Sequence, residues 1–153
     1  MTWKPFQTVE MLQRAMQAVG VERLFAKRLA PNDNSKNQIY LGGGFAAANL
    51  LPMEEIYADS SGADGRIVFK AAIRLHWLLA DGTLSPAPNA KLILYPQYPE
   101  VRLSGFLKSA PGAPSGLLLT RHEGGGVLIL GVTSDGRVIA HCAPASDQLT
   151  SEL

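Results

Sequence analysis

Two short stretches carry most of the recognition chemistry this sequence can offer. In YPQYPEVRLSGF, residues 95–106, two Tyr-Pro pairs lead into Glu100 and Arg102. Proline fixes its own φ and biases the preceding residue to extended geometry, so a carboxylate and a guanidinium arrive on a stiff, extended segment. Two residues apart, their side chains leave the same side of that segment. A guanidinium donates twice to the edge of guanine, and a carboxylate accepts from the cytosine amino group. The same two residues also make an ordinary surface ion pair of little energetic worth. Gln97 and Tyr98 precede them, Tyr98 with an apolar body fit for packing and a hydroxyl fit for phosphate.

The other stretch is RLAPNDNSKNQIYLGGGF, residues 28–45, with seven consecutive polar residues from Asn32 to Gln38 and no glycine among them. Asn, Asp and Ser are good turn formers, which explains many such connections without a ligand. Asp33, Asn34, Ser35, Lys36, Asn37 and Gln38 also place donors, acceptors and one cation side by side, the inventory that meets base edges and phosphates. Arg23, Lys27 and Arg28 add positive charge just before it.

Catalytic patterns are weaker. A common metal-dependent nuclease needs an acid, any residue, then lysine; no Asp or Glu here has lysine at that position. In Glu100-Val101-Arg102 an arginine stands there, a poor substitute. His76, His122 and His141 show no zinc spacing, and Cys142 is the only cysteine. Gly42-Gly43-Gly44 and Gly124-Gly125-Gly126 lack the lysine-serine pair and helix start of a phosphate-binding loop. No cofactor and no catalytic residue are therefore expected in this chain, although a catalytic site of a type without a recognisable motif stays open.

The elements that must position these residues are mostly strands. TVEMLQRAMQAV, residues 8–19, predicts a helix with Val9, Leu12, Met16 and Val19 on one face and Gly20 ending it. Met11 and Met16 are expected in the core. ERLFAKRL and NQIYL predict two strands joined by the polar stretch, and FAAANLLP a short second helix stopped by Pro52. RIVFKAAIRLHWLL alternates most clearly: Ile67, Phe69, Ala71, Ile73, Leu75 and Trp77 against Arg66, Val68, Lys70, Ala72, Arg74 and His76. Its polar face reads either as a solvated sheet exterior or as a surface that attracts phosphate, with Arg74 the candidate contact. KLILY, EVRLSGFL, GLLLTRH, GVLILGVT and RVIAHC follow as strands, with SDGR a hairpin turn and Gly105 a weak or bent point. Strands outnumber helices and lack βαβ alternation. The expected architecture is therefore mainly β: about seven mostly antiparallel strands in an open pseudobarrel, with an N-terminal helix and a short second one.

Length and composition fit this. The chain has 153 residues, 46% hydrophobic and 18% charged, with a net charge of +1. That is one globular domain, residues 1–153, whose nucleic-acid affinity would have to come from local clusters. No apolar run approaches the ~20 residues of a membrane span, the N-terminus lacks a signal-peptide core, and a lone cysteine favours the cytoplasm.

AKRLAPNDNSKNQIYLGGGF resembles the first strand, first recognition loop and second strand of the N-terminal DNA-recognition (effector) domain of EcoRII/UbaLAI-type restriction endonucleases. YPEVRLSGFLKSAPGAPSGLLLT, followed by VLILGVTSDG, resembles its second recognition loop and later strands. The likeness covers about residues 22–142 and is specific in those two stretches. It implies a pseudobarrel akin to plant B-three domains that grips the major groove with two arms. Asp33–Gln38 would form one arm; Gln97, Tyr98, Glu100 and Arg102 the other, with Lys27, Arg28 and Arg74 as further DNA contacts. The implied partner is double-stranded DNA with a short C·G-rich site of the CCWGG kind. Cutting would belong to a tethered nuclease domain of the MvaI/BcnI type, where Mg²⁺ would act, and the isolated domain would be a monomer. Tyr98 and Val101 stand where the family carries extra basic residues, so phosphate anchoring in this arm would differ. The competing readings are a modified-DNA reader or transcription regulator of the same fold, and a small hydrolase or metabolite-binding β-barrel.

Overall fold

The computed structural model describes residues 5–28, 38–43, 51–54, 56–59, 67–96, 100–106 and 126–143. Within them, helix α1 (Val9–Ala18) precedes ten strands: β1 (Val21–Arg28), β2 (Gln38–Gly43), β3 (Ile56–Asp59), β4 (Val68–Ala72), β5 (Arg74–Leu78), β6 (Leu84–Ala87), β7 (Lys91–Tyr95), β8 (Glu100–Ser104), β9 (Val127–Thr133) and β10 (Arg137–Ala143). They form two open five-stranded sheets, ordered β1-β9-β10-β5-β6 and β2-β8-β7-β4-β3. Among these pairings only β10 with β5 is parallel. The mainly β, mostly antiparallel open architecture expected from the patterning is present, though with ten strands instead of about seven. The expected strand GLLLTRH, and the expected short helix except for Leu51 and Pro52, fall outside the described residues.

The two sheets share one core. Leu128, Leu130, Val132, Val138, Ala140, Cys142, Leu75 and Trp77 of the first sheet meet Ile39, Leu92, Leu94, Val101 and Leu103 of the second. The other face of the first sheet is covered as well. Leu12 and Met16 of α1, with Phe6, pack on Val127, Ile129, Ile139, Ala143 and Leu78. This double cover explains why VLILGVT is apolar without alternation: every residue of β9 is buried. Met11, expected in the core, points outward instead.

His141 ties the N-terminal segment to this layer. Its Nε2 accepts from the Phe6 backbone N–H at 3.1 Å, and its Nδ1 lies 2.8 Å from the Leu78 carbonyl oxygen. The two bonds fix the neutral tautomer with the proton on Nδ1, and the ring is fully buried. This histidine is structural. At the other end of α1, the Thr8 hydroxyl accepts from the Met11 N–H, capping the helix. Thr8→Ala is expected to lower stability by ~1 kcal/mol, read as a shift in the denaturation midpoint at unchanged slope.

The strongly alternating stretch 67–78 is not one strand in one sheet. It changes partners at Ile73: β4 pairs with β7 in the second sheet, while β5 pairs with β6 and β10 in the first. The return limb bends at the same level, where Ala90 N–H bonds to Ala87 O and Ile73 N–H to Ala90 O. Residues 68–95 thus form one long hairpin folded over a corner, its tip in one sheet and its base in the other. Alternation survives the corner because Ala71, Ile73, Leu75 and Trp77 are all buried, the last three in the shared core, whereas Ile67 and Phe69, expected on the same apolar face, are exposed. β6 contains Pro86, which a sheet tolerates at an edge, and β6 is an edge.

Candidate nucleic-acid interface

Alternation in the second sheet turns Ile39, Leu92, Leu94, Val101 and Leu103 to the core. Gln38, Tyr40, Lys91, Ile93, Tyr95, Glu100, Arg102 and Ser104 therefore share the opposite face. The first polar stretch enters this face at Gln38, the first residue of β2; the second enters at Glu100, the first residue of β8. Because β2 and β8 are antiparallel, with Gln38 opposite Ser104 and Gly43 opposite Glu100, the two stretches join opposite ends of the ladder. Four strand steps separate those ends, roughly 14 Å.

Arg102 sits between them. Its Nη2 donates to Glu100 Oε1 at 2.7 Å and its Nη1 to Gln38 Oε1 at 3.1 Å. The guanidinium lies over the Tyr95 ring, 5.0 Å from its centre. Arg102 Nε is buried with no hydrogen-bond partner among the described residues. The Arg102 side chain is 28% exposed and that of Glu100 15%, so the pair is partly desolvated rather than freely solvated. The spacing predicts that Glu100 and Arg102 share a side, and they do. The structure adds the contacts from Gln38 and Tyr95, which lie on other strands and leave no local mark in the sequence. Together they hold the planar fork in one orientation, which restricts the rotamer freedom a long side chain would otherwise lose on binding.

The remaining candidates are dispersed. Lys27 and Arg28 end β1 in the first sheet, opposite Leu128 and Val127, and successive strand positions send their side chains to opposite faces. Arg74 lies opposite Arg137 at the start of β10, whereas Val127, the partner of Arg28, lies opposite Ala143 at its end. Six strand steps, roughly 20 Å, therefore separate Arg74 from the Arg28 level. Arg74 Nη2 donates to the Asp135 carbonyl oxygen in the β9–β10 turn. The polar face expected over residues 66–76 is thus divided between two sheets, with Lys70 in the second and Arg74 and His76 in the first, while Arg66 lies outside the described residues. Burial, and then Arg137 and Arg74, push the His76 pKa below its ordinary value, so it adds no charge there near neutral pH. Asp33, Asn34, Ser35, Lys36, Asn37, Gln97 and Tyr98 lie outside the described residues.

The turn that receives Arg74 has its own network. Thr133 Oγ1 donates to Asp135 Oδ1, and Arg137 Nε bonds both carboxylate oxygens, at 3.1 and 3.0 Å. The Thr133 hydroxyl first, then Arg137, hold the Asp135 carboxyl below its usual range. Arg137 Nη2 also reaches the Val19 carbonyl oxygen at the C-terminus of α1, 3.2 Å away. It supplies the cation that the last turn of that helix lacks in its own sequence. These contacts describe a structural corner.

Cys142 is fully buried, and burial pushes its thiol well above the ordinary value, which makes it a poor nucleophile. Among the described residues no three His, Cys, Asp or Glu side chains are grouped to hold a metal ion, and no helix is long and apolar enough to cross a membrane. No family model, curated protein or solved structure matches the chain.

Proposed function

We propose that this chain is a sequence-specific double-stranded DNA-binding domain that targets or activates a type II restriction nuclease and does no chemistry itself. One observation carries the reading: a rigidly held Arg102 fork beside the Glu100 carboxylate, on an edge ladder with a polar stretch entering at each end. Donor fork and acceptor suit the guanine and cytosine of a C·G pair in the major groove. That groove is about 12 Å wide, close to the separation of the two entry points at Gln38 and Glu100. The resemblance to EcoRII/UbaLAI-type effector domains points the same way and names the site class as CCWGG-like.

Fluorescence anisotropy with a CCWGG duplex and a scrambled duplex of equal length tests this at several salt concentrations. Tighter binding to the CCWGG duplex is expected; equal binding, or none, overturns the proposal. A methylated CCWGG duplex bound better than the plain one would move the reading to modified-DNA recognition. With Mg²⁺ added, the pure chain is expected to bind and leave supercoiled plasmid intact, because the acid-x-lysine pattern is missing. Mg²⁺-dependent nicking that co-purifies with the chain would make it a nuclease in its own right.

A further inference from the structure

We propose that Lys70 and Tyr57 form a second line of contact to duplex DNA, holding the phosphodiester backbone at the rim of the groove that Arg102 enters. This rests on the DNA-binding reading above. The observation behind it is a lateral row across the second sheet. Tyr40 lies opposite Arg102, Arg102 opposite Ile93, Ile93 opposite Lys70, and Lys70 opposite Tyr57. Directly opposed residues share a face, so all five stand on the face away from the shared core, although Ile93 at the centre of the row is itself buried. At ~4.8 Å per strand, Lys70 is about 10 Å and Tyr57 about 14 Å to the side of the Arg102 strand.

Groove dimensions decide what these residues meet. The major groove admits a two-stranded ribbon, not a five-stranded sheet. If the edge pair β2–β8 addresses base edges, β4 and β3 stay outside and lie against the phosphates beside the groove. The chemistry at that distance is suitable. Tyr57 is 52% exposed and offers a hydroxyl donor. The Lys70 ammonium is held at 2.6 Å by Asp59, each side chain 22% exposed. The hydrogen bond to Asp59 raises the Lys70 pKa above its ordinary value, so the cation persists wherever DNA is bound. Asp59 also tempers the attraction, since a carboxylate beside a phosphate repels it.

The same pair has a purely structural role open to it, bracing the edge strand β3 onto β4, and two variants separate the roles. Lys70→Gln and Asp59→Asn would be titrated against the CCWGG and scrambled duplexes over a range of salt, with thermal melts alongside. As a phosphate contact, Lys70→Gln weakens both duplexes alike and flattens the log–log salt slope by about 0.9. Asp59→Asn keeps the cation and removes the repulsion, so it tightens both. Tyr57→Phe weakens both a few-fold and leaves the slope unchanged. As a brace, Lys70→Gln and Asp59→Asn both lower the melting temperature and neither moves the slope. That outcome, with wild-type discrimination intact, overturns the Lys70 contact and leaves the DNA-binding reading standing. A wild-type chain that binds neither duplex overturns both.

Discussion

Gly105→Ala is expected to destabilise the fold by roughly 2–5 kcal/mol, whereas Gly82→Ala should lose only about 1–2 kcal/mol. Both glycines have left-handed backbone, with φ of 78° and 86°, so an L-side chain is strained at either position. That shared strain is ~1–2 kcal/mol. Their surroundings differ. A Cβ at Gly82 has nothing within 4 Å, but one at Gly105 overlaps the Asn89 carbonyl oxygen and comes within 2.9 Å of its carbon. These are backbone atoms at the corner where the long hairpin folds from one sheet to the other, and they cannot rotate away. Relief requires moving the corner itself, at the typical overpacking loss of 1–3 kcal/mol. Urea denaturation of the two variants would measure the difference. Equal losses would mean that the corner yields freely and that Gly105 is there for its dihedral angle alone.

The corner also shows where sequence patterning stops being informative. The period-two alternation is real in the structure from Ala71 to Trp77, where the apolar positions are buried, but Ile67 and Phe69, expected on the same buried face, are exposed. What alternation cannot contain is a change of hydrogen-bonding partners, since the buried side chains look the same before and after Ile73. Polar positions on that stretch consequently seemed to form one surface, although Lys70 and Arg74 belong to different sheets. β3 and β6 escaped for a different reason. Each has four residues, and Pro86 in β6 reads as a breaker unless the strand is known to lie at an edge. Gly105 was legible as a bend, but not as a contact, since Asn89 lies sixteen positions earlier.

In the candidate site, the local part was legible and the long-range part was not. Glu100 and Arg102 are two apart, so their shared side follows from strand geometry alone. Gln38 reaches Arg102 across a separation of 64 residues, through a β2–β8 pairing that no spacing announces. Tyr95, whose Tyr-Pro pair was legible only as a stiff approach to Glu100, lies under the guanidinium. Cross-strand neighbours are set by register, and register in a mixed set of short strands emerges from the whole core.

Arg102→Lys is expected to abolish most of the discrimination between CCWGG and scrambled duplexes while leaving affinity for the scrambled duplex nearly unchanged. A bidentate contact to guanine is worth about 1–3 kcal/mol of discrimination, roughly 5- to 150-fold in relative affinity. Lysine keeps the positive charge that phosphates feel, so the salt slope should not move. It loses the planar fork, and with it the ability to satisfy Glu100 and Gln38 together while presenting further donors outward. The flat contact with the Tyr95 ring also weakens. Arg102→Ala is the less informative change, because it leaves the Glu100 carboxylate partly buried without its cation and disturbs the fold as well as the binding. Glu100→Gln complements the lysine variant from the other side. It removes a charge that repels phosphate and an acceptor that suits the cytosine amino group, so scrambled-duplex binding should hold or tighten while preference for CCWGG falls. The pair of variants therefore has a joint signature, lower preference for CCWGG in both and an unchanged salt slope in Arg102→Lys. If Arg102→Lys retains full discrimination, the fork does not contact a base. Glu100, Arg102 and Gln38 would then be a cross-strand clasp on the edge of the sheet, and the specificity would have to come from other residues.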